Sequence, residues 1–263
     1  MLKFCSLYSG STGNSLYIEN ENTRILVDAG ESAKKIEVAL SSIDVSIQSL
    51  DAILVTHEHS DHVKGLGTLS KKYQIPVYST SETFDAMSLQ TEKIQHCNIK
   101  KFKIGDNFEI GDLEIHPFSI PHDAANPCGF NIISHGKKIS IATDLGHMDF
   151  SILKNLEESV FLLLEANYDP EVLKCSKYPY LLKERIAGPN GHLSNPMAGK
   201  TISYLLQSGL KNVMLGHLSK ENNFPELAYK TVLEQLMENH FDENSLKLSV
   251  ASRSTPSELL EVV

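Results

Sequence analysis

No apolar run in this chain approaches the roughly 18 residues that a membrane helix needs, which excludes a spanning segment. Nor is there a basic start followed by a long apolar stretch: Met1-Leu2-Lys3-Phe4-Cys5 runs straight into strand-like alternation, so secretion is not expected. Cysteine is scarce. Cys5, Cys97, Cys128 and Cys175 are widely spaced and form no C-x-x-C pair. A disulfide framework is thereby not expected, and reduced, partly buried thiols in a cytoplasmic protein are the expectation. Positive charge is also short, with 24 Lys and Arg against 33 Asp and Glu and a net charge of −9. The chain lacks the basic excess on which sequence-independent nucleic-acid affinity rests. Its basic pairs, Lys34-Lys35, Lys71-Lys72, Lys100-Lys101 with Lys103, and Lys137-Lys138, lie between residues 34 and 138 and read as solvated surface. No linker, low-complexity run or repeat divides the sequence, so one domain over residues 1–263 is expected.

What is present is concentrated in Thr56-His57-Glu58-His59-Ser60-Asp61-His62. Three imidazoles and a carboxylate fall within six residues. Before them, 51–55 reads as a short buried strand; after them, 63–73 reads as a helix. A strand end opening into a loop of nitrogen and oxygen donors is what a divalent metal site needs. Neutral imidazole suits zinc, iron and manganese, and a carboxylate adds charge and a harder oxygen. Glu58 and Ser60 alternate with the donors and are expected to point away. Further donors stand at later strand ends: His122 after 113–120, Asp144 after 138–142, and His217 after 213–215. Asp28 follows the apolar run Ile25-Leu26-Val27 in the same way.

His57-x-His59-x-Asp61-His62 resembles the signature of the metallo-β-lactamase superfamily. The resemblance implies an α/β fold, an αββα sandwich, and a two-metal site. Metal 1 would take His57, His59 and His122; metal 2 would take Asp61, His62 and His217; Asp144 would bridge them, and Asp28 would support the loop. A hydroxide between metals about 3.5–4 Å apart would be the nucleophile, its pKa lowered by two cations. Zinc or manganese is expected, with iron as a third choice. A histidine at position 59, where the related flavodiiron oxygen reductases carry Glu, favours hydrolysis over redox chemistry.

A narrower resemblance rests on Tyr8-Ser9-Gly10-Ser11-Thr12-Gly13-Asn14-Ser15, on Leu164-Glu165-Ala166-Asn167-Tyr168-Asp169, on Gly191-His192-Leu193-Ser194-Asn195 and on His217-Leu218-Ser219-Lys220-Glu221-Asn222-Asn223. These are similar to the group of metallo-β-lactamase-fold proteins called YycJ or WalJ, described as 5′→3′ exonucleases of double-stranded DNA. DNA is then the expected partner. Asp61, Asp144 and His192 are the expected catalytic residues. Ser11 and Thr12, with Asn14, form a hydroxyl-rich loop that reads either as a plain turn or as a cradle for phosphate oxygens. Ser194, Asn195, Ser219 and Asn222 are the other candidate substrate contacts. His192 precedes a helix N-terminus, where an anion is favoured. His147 has a weaker claim of the same kind, and Tyr168 either stacks a base or only packs. His96, His116 and His240 read as structural or exposed, and His135 as a turn residue.

Elsewhere, helices are expected over 31–40, 63–73, 81–89 with Ser81 as N-cap, 178–186, 195–206 with Pro196 in the first turn, and 225–240 with Leu227, Val232, Leu233 and Leu236 buried. Residues 98–104, 107–110 and 113–120 read as a meander, and 246–250 as a closing strand. Two functions of different class follow: a two-metal phosphodiesterase acting on DNA, or a small-molecule hydrolase cleaving a lactone, thioester or cyclic nucleotide. The bound hydroxide serves either, and the negative net charge favours the second. A third reading, a scaffold that has lost catalysis, is opposed by the complete ligand set.

Overall fold

The computed structural model describes residues 1–238 and 246–262. These residues form two compact units. The first comprises Met1–Ser119, Ala124–Gly136 and Ser252–Val263; the second comprises Ile120–Asp123 and Lys137–Ala251.

In the first unit, β1 (Lys3–Tyr8), β2 (Ser15–Glu19) and β3 (Arg24–Val27) make an antiparallel set, with Leu16 opposite Val27 across the turn at 20–22. After α1 (Ala33–Ser41) the chain turns parallel. β4 (Ala52–Leu54) pairs with β3, and β5 (Val77–Ser79) with β4. α2 (Ser60–Val63) and α3 (Leu66–Tyr73) connect β4 to β5. β4 is buried along its whole length, as a parallel strand covered on both faces requires. Leu26, Ile36, Leu40, Ile53, Leu66, Leu69 and Phe84 pack together in this unit's core, each side chain contributing about 1.5–3 kcal/mol when buried.

Three expectations change here. The helix expected over 63–73 begins earlier and is broken, because the Gly65 N–H bonds to Ala29 O (2.8 Å) and a Cβ at Gly65 would lie 2.3 Å from Glu31 O. In α4 (Ser81–Ala86) the N-cap is Thr80, whose hydroxyl accepts from Thr83 N, and not Ser81; α5 (Ser88–Thr91) follows after a break at Met87. The expected meander loses its first member: β6 (Ile99–Lys101) pairs in parallel with β5. β7 (Phe108–Ile110), β8 (Leu113–Ser119) and β9 (Cys128–Ser134) pair antiparallel in sequence.

The second unit is a parallel sheet with helices between its strands. β10 (Lys137–Ala142) leads through α6 (Phe150–Leu156) to β11 (Phe161–Glu165). α7 (Pro170–Cys175), α8 (Tyr180–Ala187) and α9 (Asn195–Leu205) precede β12 (Asn212–Gly216), and α10 (Pro225–Met237) precedes β13 (Lys247–Val250). The order is β10-β11-β12-β13. Pro196 sits in the first turn of α9, and Gly209, with φ +91°, ends the 3-10 turn that follows that helix. In α10 the buried residues are Ala228, Val232 and Leu236; Leu227 and Leu233 are only half-buried. His240 lies outside the described residues. The final strand β14 (Leu260–Glu261) returns to the first unit and pairs with β1, which the sequence pattern did not indicate.

All four cysteines are free, Cys5 and Cys128 buried and Cys97 and Cys175 exposed. Among the described residues no helix is long and apolar enough to cross a membrane. His135 takes a left-handed backbone (φ +49°) ahead of Gly136 (φ +73°) and is exposed, as a turn residue should be. Lys137 and Lys138 depart from the solvated-surface reading. Both are half-buried, and Lys138 Nζ donates to Asn155 O at 3.0 Å.

Candidate metal centre

Asp28, His57, His122, Asp144 and His217 stand just past the C-terminal ends of strands, where open α/β sheets place their ligand sites, and His59, Asp61 and His62 follow on the turn into α2. Three of these positions have a left-handed backbone that non-glycine residues rarely adopt: Asp28 (φ +64°), Asp144 (φ +57°) and His217 (φ +53°). Such conformations cost on the order of 1–3 kcal/mol and gather at functional sites.

In the first unit, the chain leaves β4 extended through Thr56-His57-Glu58-His59 and then turns helical. His59 is the N-cap of α2, its carbonyl accepting from His62 N at 2.9 Å. The turn brings the rings together. His57 and His59 meet edge-on at 4.6 Å between centroids, and His57 and His62 at 4.1 Å. Asp28 lies behind them. Its Oδ1 accepts from Thr56 N (2.9 Å), and its Oδ2 accepts from Thr56 Oγ1 (2.9 Å) and His62 Nδ1 (2.7 Å). Thr56 Oγ1 is 3.0 Å from His57 Nδ1. With both Nδ1 atoms engaged, Nε2 is the nitrogen each ring offers to a metal. Gly30 makes this packing possible, since a Cβ there would fall 1.6 Å from Asp61 O.

Asn14 is part of the same support. It is buried, its Oδ1 accepts from Gly10 N (3.0 Å), and its Nδ2 lies 3.1 Å from His62 Nε2 and 3.4 Å from Asp61 Oδ2. It holds the metal motif to the N-terminal loop. Ser11 and Thr12 are exposed on that loop. Glu58 accepts from Ala125 N (2.8 Å), away from the ligating atoms as expected.

In the second unit, the organising group is Glu165 at the end of β11, fully buried. Its Oε1 accepts from His217 Nδ1 (2.7 Å) and His192 Nδ1 (2.9 Å), and its Oε2 from Leu193 N (2.9 Å) and Leu145 N (3.0 Å). Burial pushes its carboxyl up, but the His192 charge and the bonds from His192 and His217 outweigh burial and hold it below the ordinary range. The reciprocal holds for His192: burial pulls it down, while the Glu165 charge and bond and the Asp144 charge raise it overall. Asp144 Oδ1 lies 3.3 Å from His217 Nδ1, 3.6 Å from His192 Nδ1 and 3.8 Å from His122 Nε2. Asp144, Glu165, His192 and His217 each offer a ligand atom, all within 4.8 Å of one another. His122 donates from Nδ1 to Gly191 O (3.1 Å) and is lowered mainly by burial, which favours the neutral ligating form. Asn167 Nδ2 donates to His217 O (2.8 Å).

The remaining candidates divide. Asn195 and Asn223 exchange side-chain amide bonds (2.8 and 3.1 Å), and Asn222 donates to Ser219 Oγ (3.3 Å). Asn195, Ser219 and Asn222 are all buried and lock loops to one another. Ser194 stays half-buried at the start of α9. His147 is exposed and donates to Pro189 O (2.8 Å), steadying the loop before His192. Tyr168 is buried. His96 is exposed, and His116 donates to Glu114 (2.6 Å). Glu165 had no role in the sequence reading beyond marking a resemblance. Its only signal was an acidic residue ending an otherwise continuous apolar strand, Phe161-Leu162-Leu163-Leu164.

Residues 23–218 match the family model of the β-lactamase superfamily domain. The chain is 39% identical over 236 residues, 89% of this chain and 88% of the relative, to the exodeoxyribonuclease WalJ of Streptococcus pneumoniae serotype 2. It is 37% identical over 240 residues, 91% of each protein, to the exodeoxyribonuclease YycJ of Bacillus anthracis. Among solved structures, the metallo-β-lactamase-fold protein YhfI from Bacillus subtilis aligns with 98% of this chain and 100% of its own, with a TM-score of 0.70 at 16% identity. Zinc-bound PqqB from Methylobacterium extorquens aligns over the same shares, with a TM-score of 0.71 at 15% identity. At that identity the likeness shows the fold, which is the α/β sandwich that the family resemblance implies.

Proposed function

The chain belongs to the β-lactamase superfamily, with the metallo-β-lactamase fold, and from that membership we propose that it is a metal-dependent 5′→3′ exonuclease of DNA acting in the cytoplasm. The observation that carries this reading is identity of 37–39%, over about nine-tenths of the chain, to relatives named exodeoxyribonucleases. The small-molecule alternative gains nothing comparable. One domain over residues 1–263 belongs to the same proposal, supported by a family match that runs through both units.

The donor chemistry fits two divalent cations, zinc or manganese, with iron as a third choice. His62 and His217 each give Nδ1 to a buried carboxylate at 2.7 Å, the arrangement that fixes tautomer and ring orientation in metal-ligating histidines. His57, His59 and His122 would hold one ion, Asp61, His62 and His217 the other, with Asp144 shared. When bound, the ions would supply Lewis acidity and acidify the attacking water.

The chain's own residues do the rest. Asp28 and Glu165 keep two ligand rings oriented. Glu165 favours the protonated form of His192, which would give a proton to the departing 3′ oxygen as charge develops there. Ser11, Thr12 and Ser194 are the polar groups left accessible enough to meet phosphate oxygens.

Elemental analysis of metal-replete protein should give two ions per chain, and fewer than one would sink the dinuclear assignment. Asp144→Ala should abolish turnover. His192→Ala should keep both metals and the fold while losing roughly 10²–10³ in rate; lost metal would make His192 a ligand instead. Linear duplex should be degraded and closed circles spared, with activity falling steeply as salt is added. Equal cutting of circles and linear DNA would exclude an exonuclease.

A further inference from the structure

Within the second unit, α7, α8 and the link between them enclose a groove of about 580 Å³ that the metal-centre chemistry does not use. Tyr168 and Leu173 line its buried side. Tyr178 and Tyr180 flank Pro179, which restricts the link between them. Lys174 and Lys183 bring two positive charges to the lining against the single carboxylate of Glu184, which accepts from the Tyr180 hydroxyl; Pro170 and Ala187 complete it. Tyr180 is 71% exposed, a large aromatic held in solvent. Tyrosine faces beside lysines are the composition that binds unstacked nucleotides, with bases on the rings and phosphates on the ammonium groups.

Charge agrees with that occupant. Residues 170–187 carry Lys174, Lys177, Lys183 and Arg185 against Glu171 and Glu184, a local positive balance in a chain of net charge −9. Continuity with the His192 loop agrees too. Tyr168 O accepts from Asn195 N (2.9 Å), and Ile186 O of α8 accepts from His192 N (2.9 Å). A Cβ on Gly191 would meet Arg185 O at 2.2 Å, so the loop lies directly on the end of α8. Arg185 also pairs with Asp123, next to His122.

A second aromatic groove, in the first unit, is less suited. Its Tyr78 and Phe108 rings stack on each other at 5.5 Å and 1°, with Phe102 stacked on Phe108 at 5.2 Å. Those faces are already covered, and Asp106 and Glu109 offset Lys101 and Lys103.

We propose that the groove of Tyr168, Tyr178 and Tyr180 receives unstacked nucleotides of a single-stranded DNA end, with Lys174 and Lys183 on the phosphates. This deepens the nuclease reading and rests on it. The test uses the intact protein and a phosphorothioate single strand carrying 5-iodouracil, which photo-crosslinks to stacked aromatic residues. Peptide mapping should place the crosslinks on Tyr178 or Tyr180. Tyr180→Ala and Lys183→Ala should each weaken single-strand binding roughly tenfold. Each should also lower kcat/KM on DNA far more than on bis(p-nitrophenyl) phosphate. Leu181→Ala, on the same helix, 77% exposed and outside the groove, should bind as wild type.

Crosslinks confined to Phe102 or Phe108, or Tyr180→Ala cutting DNA with unchanged KM, would overturn the groove and leave the nuclease reading intact. Wild-type protein that turns over the small diester but no DNA would overturn the reading itself. An RNA strand bound more tightly than DNA would reject the proposed occupant.

Discussion

Asp28 holds one imidazole, whereas Glu165 holds two. Asp28 gathers the Thr56 amide and hydroxyl and His62, all from one loop. Glu165 gathers Leu145, His192, Leu193 and His217, from three separate strand ends and loops. Both carboxylates sit behind a histidine at 2.7 Å, so the two units use one device at different reach. The difference is one of dependence. In the first unit, the turn of α2 already places His57, His59 and His62 against one another, and Asp28 refines ring orientation. In the second unit, no local turn brings His192 and His217 together; the shared carboxylate oxygen does.

This comparison breaks most visibly at Glu165. Glu165→Ala should cost about 3–5 kcal/mol of stability, because it takes the acceptor from buried His217, from half-buried His192 and from the Leu145 and Leu193 amides. Glu165→Gln keeps the volume but cannot accept from four donors at once, so it should fold, melt lower, and lose both metal affinity and turnover. Melting curves and metal titration on the same preparations check this. A Gln variant with wild-type melting and metal content would show that the His192 and His217 loops hold themselves.

Asp28→Asn should fall short of that. Asn tolerates the left-handed backbone that Asp28 adopts, and Oδ1 still accepts from Thr56 N, so stability should drop by about 1 kcal/mol. Metal affinity should fall about 10–100-fold through the misdirected His62 ring. If Asp28→Asn destabilised the fold as much as Glu165→Ala, the contrast drawn between the two units would be wrong.

The same contrast explains what could be read in advance. His57, His59, Asp61 and His62 are legible because one strand and one helical turn hold them, and adjacency in sequence becomes adjacency in space. Asp144 and His217 stand at the ends of apolar strands, a weak signal taken singly, and become candidates through their order and spacing after the long motif. Glu165 also ends such a strand, but nothing local distinguishes a buried carboxylate that binds two imidazoles from a polar strand terminus. Asn14, Asn195 and Asn222 stand as candidate substrate contacts on the polar loops that carry the resemblance; the fold buries all three side chains, which the sequence pattern does not indicate. The break at Gly65 and the displaced β6 have the same origin. Local propensity favoured helix through 63–73 and a meander from 98, and contacts with Ala29, Glu31 and β5 overrode it.

The smallest expected effect sharpens the comparison inside the first unit. Thr56 sits between the carboxylate and the rings: its hydroxyl donates to Asp28 Oδ2 at 2.9 Å and lies 3.0 Å from His57 Nδ1 and 3.3 Å from His62 Nδ1. Thr56→Val keeps the branched shape and the backbone amide bond to Asp28, and removes only the hydroxyl. Stability should fall by about 1 kcal/mol, the range for one buried hydrogen bond. Metal affinity should fall by less than in Asp28→Asn, since His62 Nδ1 keeps its carboxylate. Thr56→Ser restores the hydroxyl without the methyl and should recover metal affinity more fully than stability. A competition titration against a chelator, run beside a melt, separates the two readouts. Should Ser fail where Val succeeds, Thr56 acts through its methyl packing, and the orientation of His57 belongs to the α2 turn alone.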